Sequence, residues 1–368
     1  MHATSGGYDR AYMYDSSQND HFVSRADSAT MYASDYSYYN VAHDFERIDG
    51  HATSGGYDRA YMHGADGDDS FVARPTFSVR YANDYSFYAE AHGFSQVDAY
   101  ATGTGFDRAY MYDAATNDLF VGRPDASMLY ASDFSFYNVA HNFNQVEAHA
   151  TGGGYDRAFL YDSANDDLLV ARPTTSVLYA ADYAYYNRVN AFARVDAYSS
   201  AGGNDRAYFH DSAGDDFFVG RPTSSVLYAS DYSFYNVANN FRWIDAFASS
   251  GGNDQAHLYD TAGNDLFSSS GSTAEFSGNN YYLRARDFED SFGYSINGGI
   301  DSAQFTGVAD GDTLVARNDY ATVDSSAMRV TARDFYDVLA VAKAGNSPTA
   351  DIDSVDFFFE ALGDWTYQ

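Results

Sequence analysis

The chain has no cysteine, one lysine, two tryptophans and five prolines in 368 residues. Without cysteine there is no disulfide framework, and no thiolate to act as nucleophile or metal ligand. Lys343 and twenty arginines face fifty-two acidic residues, nearly all Asp, for a net charge of −31. A polyanion such as nucleic acid would be repelled at long range, whereas cations suit this surface. No apolar run approaches the ~18 residues of a membrane-spanning helix, the first residues lack a signal-peptide pattern, and there is no N-x-[ST] sequon. The sequence therefore expects no membrane span; if the protein is exported, its signal lies outside these residues.

What is abundant is aromatic: thirty-five Tyr and twenty-eight Phe, 18% of the chain with Trp. Aromatic side chains pack well on pleated, half-buried surfaces, and Asp favours turns through bonds to nearby backbone N–H groups. Both trends favour an all-β protein.

Self-similarity decides the fold. Aligned on G-G-x-D, Asp9, Asp58, Asp107, Asp156, Asp205 and Asp254 recur every 49 residues, and Asp301 follows after 47, giving seven repeats. A second acidic column stands eleven residues further on, at Asp20, Asp69, Asp118, Asp167, Asp216, Asp265 and Asp312. Within a repeat the pattern has period two. The Ala11 and Met13 columns, the Phe22 column and the Phe45 column, Phe in all seven repeats, read as core. Further strands are expected near Thr30–Ala33, Tyr36–Ala42 and Arg47–Thr53.

Five short strands per repeat fit either a parallel β-solenoid with about two coils per repeat or a seven-bladed β-propeller. The solenoid is favoured, because repeats six and seven degenerate as the end of an open stack does, while the blades of a ring should match. Identical Phe, Ala and Val columns are expected to stack in its interior. Residues 1–346 form the array. Residues 347–368 form a cap in which Val355, Phe358, Phe359 and Leu362, spaced i, i+3, i+4, i+7, predict a short amphipathic helix.

The two Asp columns are the candidate sites. Like charges held close together need a neutraliser. One is the Arg residues that follow the first column (Arg10, Arg59, Arg108, Arg157, Arg206) together with the Arg25 column. The other is Ca²⁺ held by carboxylates and turn carbonyls at Asp9, Asp20, Asp58, Asp69, Asp107, Asp118, Asp156, Asp167, Asp205, Asp216, Asp254 and Asp265. The simplest reading is that these Asp cap turns through the backbone and pair with Arg. The His positions drift to Asn and Tyr and read as outer-face filler. The Tyr32, Tyr81, Tyr130, Tyr179 and Tyr228 column reads as packing or as a stacking surface for sugars.

The strings Gly263-Asn264-Asp265-Leu266-Phe267 and Gly214-Asp215-Asp216-Phe217-Phe218 resemble the turns of RTX-type calcium β-rolls, although here each repeat offers one such turn. Over nearly the whole chain, the unit G-G-x-D-R-A-x-x-Y-D-S-x-x-D-D-x-F-V-x-R-P resembles tandem repeats of very large secreted proteins of planctomycete bacteria, and the acidic, aromatic stretch from Asp356 to Trp365 resembles their ends. That resemblance implies a secreted repeat architecture and no particular activity.

The expectation is a non-enzymatic extracellular or cell-surface structural repeat, a stalk, matrix or filament component, stabilised by Ca²⁺ if the Asp columns bind it. A glycan-binding adhesin using the Tyr face is the alternative, and a β-helix carbohydrate-active enzyme a lesser one, since seven equivalent copies offer no unique catalytic constellation. The opening His2-Ala3-Thr4-Ser5-Gly6-Gly7 matches the strand at His51-Ala52-Thr53 with no cap before it. It predicts either a longer array or head-to-tail self-association.

Overall fold

A computed structural model describes residues 1–3 and 6–368, so Thr4 and Ser5 of the opening segment lie outside the described residues. The chain is a β-solenoid of stacked coils, not a propeller, and its described residues contain no helix. It divides into two compact bodies, Met1–Ser163 with Thr174–Val195, and Ala164–Pro173 with Asp196–Gln368.

The first body shows how one repeat is built. Its strands are β1 (Arg10–Tyr14), β2 (Asp20–Ser24), β3 (Ser28–Ala33), β4 (Tyr39–His43) and β5 (Arg47–His51). The next repeat supplies β6 (Arg59–His63), β7 (Asp69–Ala73), β8 (Phe77–Ala82), β9 (Tyr88–His92) and β10 (Gln96–Tyr100). β2, β3 and β4 form an antiparallel meander within one sheet. β1 and β5 pair in parallel in the other sheet, Arg10 opposite Arg47, and β5 continues onto β9, Arg47 opposite Tyr88. β2 pairs with β6, and β6 with β10. The β7–β8–β9 meander thus joins the sheet of β1 and β5, while β6 and β10 join the sheet of the first meander. Five strands split three and two, so successive repeats exchange sheets. The hairpin doubling of every repeat is absent from a simple parallel coil.

This exchange corrects the expectation of identical stacked columns. In-register neighbours come from different columns: Phe22 lies opposite Ala60, Phe71 opposite Ala109 and Phe120 opposite Ala158. A ring beside a methyl leaves room for a second ring. The Phe45 column uses that room: Phe94 stacks on Phe22 at 5.9 Å, and Phe143 meets Phe71 at 6.0 Å. Alternating large and small side chains fills the interior without strain, and each buried Phe contributes roughly 1.5–3 kcal/mol.

The second body repeats this construction. Leu168 lies opposite Arg206 and Arg206 opposite Trp243, while in the other sheet Phe218 pairs with Ala256. Its last residues overturn the predicted helix. Thr349–Val355 and Phe358–Leu362 are strands, pairing in parallel with Thr313–Asn318 and Asp337–Ala342. The apolar spacing satisfied both periods over so short a segment. The exposed edge of Asp337–Ala342 decided between them, because its backbone groups gain partners only from a strand. Phe359 and Ala361 sit opposite Val338 and Ala340, whereas Phe358 stays 65% exposed.

At the N-terminal edge, His2 bridges His43 in parallel, where an earlier repeat would place its fifth strand. The loop glycines hold coils together. Gly56 has φ +107°, and a Cβ there would lie 2.1 Å from the Gln18 carbonyl oxygen of the coil beneath. Gly56→Ala is expected to cost about 1–3 kcal/mol through left-handed strain and that clash, lowering the thermal midpoint by a few degrees in circular-dichroism melts.

Candidate cation-binding site

The two predicted Asp columns do meet, across repeats rather than within one. The Asp20 backbone N–H donates to Asp58 Oδ1 at 2.7 Å, and the contact recurs for Asp69 with Asp107, Asp118 with Asp156, Asp167 with Asp205, Asp216 with Asp254 and Asp265 with Asp301, all at 2.7–2.8 Å. Asp9 is partly exposed, and its own N–H donates to Glu46. The second-column carboxylate also closes its own turn. Asp20 Oδ2 accepts from the Ser16 N–H, Asp118 Oδ2 from Ala114 and Asp216 Oδ2 from Ser212, each at 2.7 Å. A short side chain that reaches the backbone four residues back is what selects Asp there.

A third acidic column, unnoticed in the sequence, completes the group. Asp15 accepts the N–H groups of Thr53 and Ser54 at 2.8 and 2.7 Å, and Asp113 accepts those of Thr151 and Gly152 at 2.9 Å. One carboxylate oxygen from each of Asp15, Asp20 and Asp58 lies within 4.8 Å of the others, and the same holds for Asp113, Asp118 and Asp156. Asp20, Asp58, Asp118 and Asp156 are at most 4% exposed. Burial, followed by the charges of Asp15 and Asp20, pushes Asp58 up to about 6, and burial beside Asp113 and Asp118 does the same to Asp156. In the second body, burial and then Asp216, Glu289 and Asp211 push Asp254 up to about 7. Asp15 goes the other way, because hydrogen bonds from Ser54 and Thr53 outweigh its burial.

The arginines expected to neutralise these columns stack on aromatic rings. Arg59 lies over Tyr57, Arg108 over Phe106, Arg74 over Tyr112 and Arg123 over Tyr161, with guanidinium-to-ring distances of 4.1–5.3 Å. Arg10 and Arg47 pair instead with Asp49, and Arg47 also with Glu90, so the Asp49, Glu90 and His92 group carries its own counter-charge.

Repeat two departs from the pattern. Gly64 stands where repeats one and three to six have the third Asp, and Arg80 stands in a column otherwise occupied by Met31, Leu129, Leu178, Leu227, Phe276 and Val323. Arg80 is fully buried, and its Nη2 donates to Asp69 Oδ2 at 3.2 Å. A Cβ at Gly64 would lie 2.1 Å from that Nη2, so the missing side chain makes the space the guanidinium fills. The paired change of one acidic and one apolar position inside a single repeat was the available sequence signal.

Comparisons with protein-family models, with curated proteins and with solved structures return no match to this chain.

Proposed function

We propose that the chain is a structural repeat segment of an extracellular or cell-surface assembly, a stalk, matrix or filament component without catalytic activity. The observation that carries this reading is the distribution of its polar and aromatic groups. The same Asp-to-amide contact recurs six times at repeat spacing, whereas catalysis needs one constellation of unlike groups. Where the repetition breaks, in the groove lined by Ser268, Thr273, Glu275 and Arg284, the charges are already engaged: Glu275 accepts from the Tyr282 hydroxyl and Arg284 pairs with Asp245. Head-to-tail association through the first sheet edges, or continuation of the array, suits such a component. Antibodies raised against the chain are expected to label intact, unpermeabilised cells of the source organism. Labelling that requires permeabilisation would overturn the proposal.

A second reading, attachment to surface glycans, draws support from the hairpin tips. Tyr36, Tyr85, Phe134, Tyr183 and Tyr232 hold φ of +58 to +61°, a region bulky residues rarely adopt. They are 66–72% exposed and lie on Tyr32, Tyr81, Tyr130, Tyr179 and Tyr228 at 5.4–5.8 Å. Repeat six has Asn280 with φ +69°, a residue that tolerates this conformation at low cost. Strained, outward-facing aromatic pairs are platforms of the kind on which sugar rings stack. Replacing Tyr36, Tyr85, Phe134, Tyr183 and Tyr232 together with Asn is expected to change stability by less than ~1 kcal/mol per site, strain relief offsetting lost stacking. On this reading it abolishes retention on insoluble polysaccharide columns. Equal retention of both proteins removes the glycan reading and leaves the structural one standing.

A further inference from the structure

The three-Asp clusters pose a charge problem, and in one of them the chain supplies the counter-charge itself. In repeat two the buried Asp69 and Asp107 face a buried guanidinium, in a space opened by Gly64. In repeats one and three, three carboxylates converge within 4.8 Å, and among the described residues no Arg or Lys makes an ion pair with them. Three oxygens at such separations match the span of a cation that takes oxygen ligands at ~2.3–2.6 Å.

A second observation, independent of the acidic clustering, comes from the second body. Asp211 and Asp216 are 4% and 0% exposed, and one carboxylate oxygen of each, Oδ1, has no hydrogen-bond partner. In the next cluster, Tyr281 is 6% exposed and its hydroxyl lies against Asp265, with Asp260 and Asp301 as further charged neighbours, yet it makes no hydrogen bond of normal geometry. Buried polar atoms left without a partner are costly, and a cation would satisfy the carboxylate oxygens directly.

We infer that the clusters Asp15/Asp20/Asp58 and Asp113/Asp118/Asp156, and their counterparts Asp211/Asp216/Asp254 and Asp260/Asp265/Asp301, bind a hard divalent cation of the Ca²⁺ class, and that Arg80 is the built-in replacement for that ion in repeat two. The inference goes beyond the structural role, which needs no metal. It relocates the predicted calcium ligands: the ion joins the second-column Asp of one repeat to the first-column Asp of the next and ties adjacent coils together. Asp9 takes no part.

The test uses the full chain stripped of metal, titrated with CaCl₂ by calorimetry and followed by thermal melting. Saturable Ca²⁺ binding is expected, with a rise in melting midpoint of several degrees, because a ligand that binds the folded state alone stabilises it. The double variant G64D/R80L rebuilds the triad in repeat two and is expected to bind one more Ca²⁺ per chain than the natural protein. The variant D113N/D118N keeps the acceptor atoms, removes two charges and is expected to bind one fewer. Absence of saturable binding, with melting unchanged by Ca²⁺, overturns the inference. So does a folded G64D/R80L protein with unaltered stoichiometry. Should that variant not fold, D113N/D118N decides the matter: loss of one equivalent supports the site, and unaltered stoichiometry refutes it.

Discussion

In buffer freed of divalent cations, the protein is expected to lose stability as pH rises from about 4 to 7, the reverse of what acid-denatured proteins show. Asp58 and Asp156 are pushed from an ordinary value of 3.8 to about 6, and Asp254 to about 7. A carboxyl whose folded value lies above its unfolded one binds its proton more tightly when folded. Its contribution is fully present below about 3.8 and is lost as pH rises through 6 to 7. Asp69, Asp107, Asp118, Asp216 and Asp301 are raised as well, burial being the first cause in each. After allowance for solvent screening, each of the three most shifted groups is worth about 1–2 kcal/mol. The exposed turn residues Asp35, Asp84, Asp133 and Asp231 are lowered by their Ser37, Ser86, Ser135 and Ser233 hydrogen bonds and act only below 3.8. Maximal stability is therefore expected near pH 4, measurable as the urea midpoint across a pH series. A midpoint that climbs between pH 4 and 7 in the presence of chelator would show that the buried carboxyls are not strained.

Arg80→Leu is expected to cost about 3–5 kcal/mol at pH 8, because it leaves Asp69 and Asp107 buried without their counter-charge. Leucine fills the same column at Leu129, Leu178 and Leu227, so the apolar side chain itself fits. The guanidinium carries its own penalty: Nε and Nη1 have no hydrogen-bond partner, and burial lowers its proton affinity, although Asp69 and the Phe143 ring at 4.7 Å offset part of this. The loss should shrink as pH falls, since burial already raises the Asp69 carboxyl and a proton can then take the place of the arginine. Equal urea midpoints for the two proteins at pH 8 would mean that the buried pair is no better than a well-packed apolar contact.

The repeat length, the inward Ala, Met and Phe columns and the solenoid itself were legible because each is a property of one strand or one period. What escaped was relational. Nothing in the spacing of Phe22 and Ala60 says that they share a rung, since that depends on the Ser28–Ala33 strand turning back and sending the next repeat into the opposite sheet. The Asp columns are legible, but not which Asp meets which, because Asp9 and Asp20 are closer in sequence than the pair that forms contact. The contact that forms spans thirty-eight residues, from Asp20 to Asp58. The Asp15 column is hard to see because Gly64 interrupts it, and the C-terminal strand reads as a helix because the eight residues from Val355 to Leu362 satisfy both periods.

The odd strand count also governs how the gene can change. The fifth strand of one repeat meets the fourth of the next in the same register whichever sheet receives them, Arg47 opposite Tyr88 in one and Gln96 opposite Tyr137 in the other. Unequal recombination that adds or removes a single repeat moves everything downstream to the other sheet, yet every junction finds an equivalent partner. Array length is thus free to drift by one repeat at a time without compensating mutations.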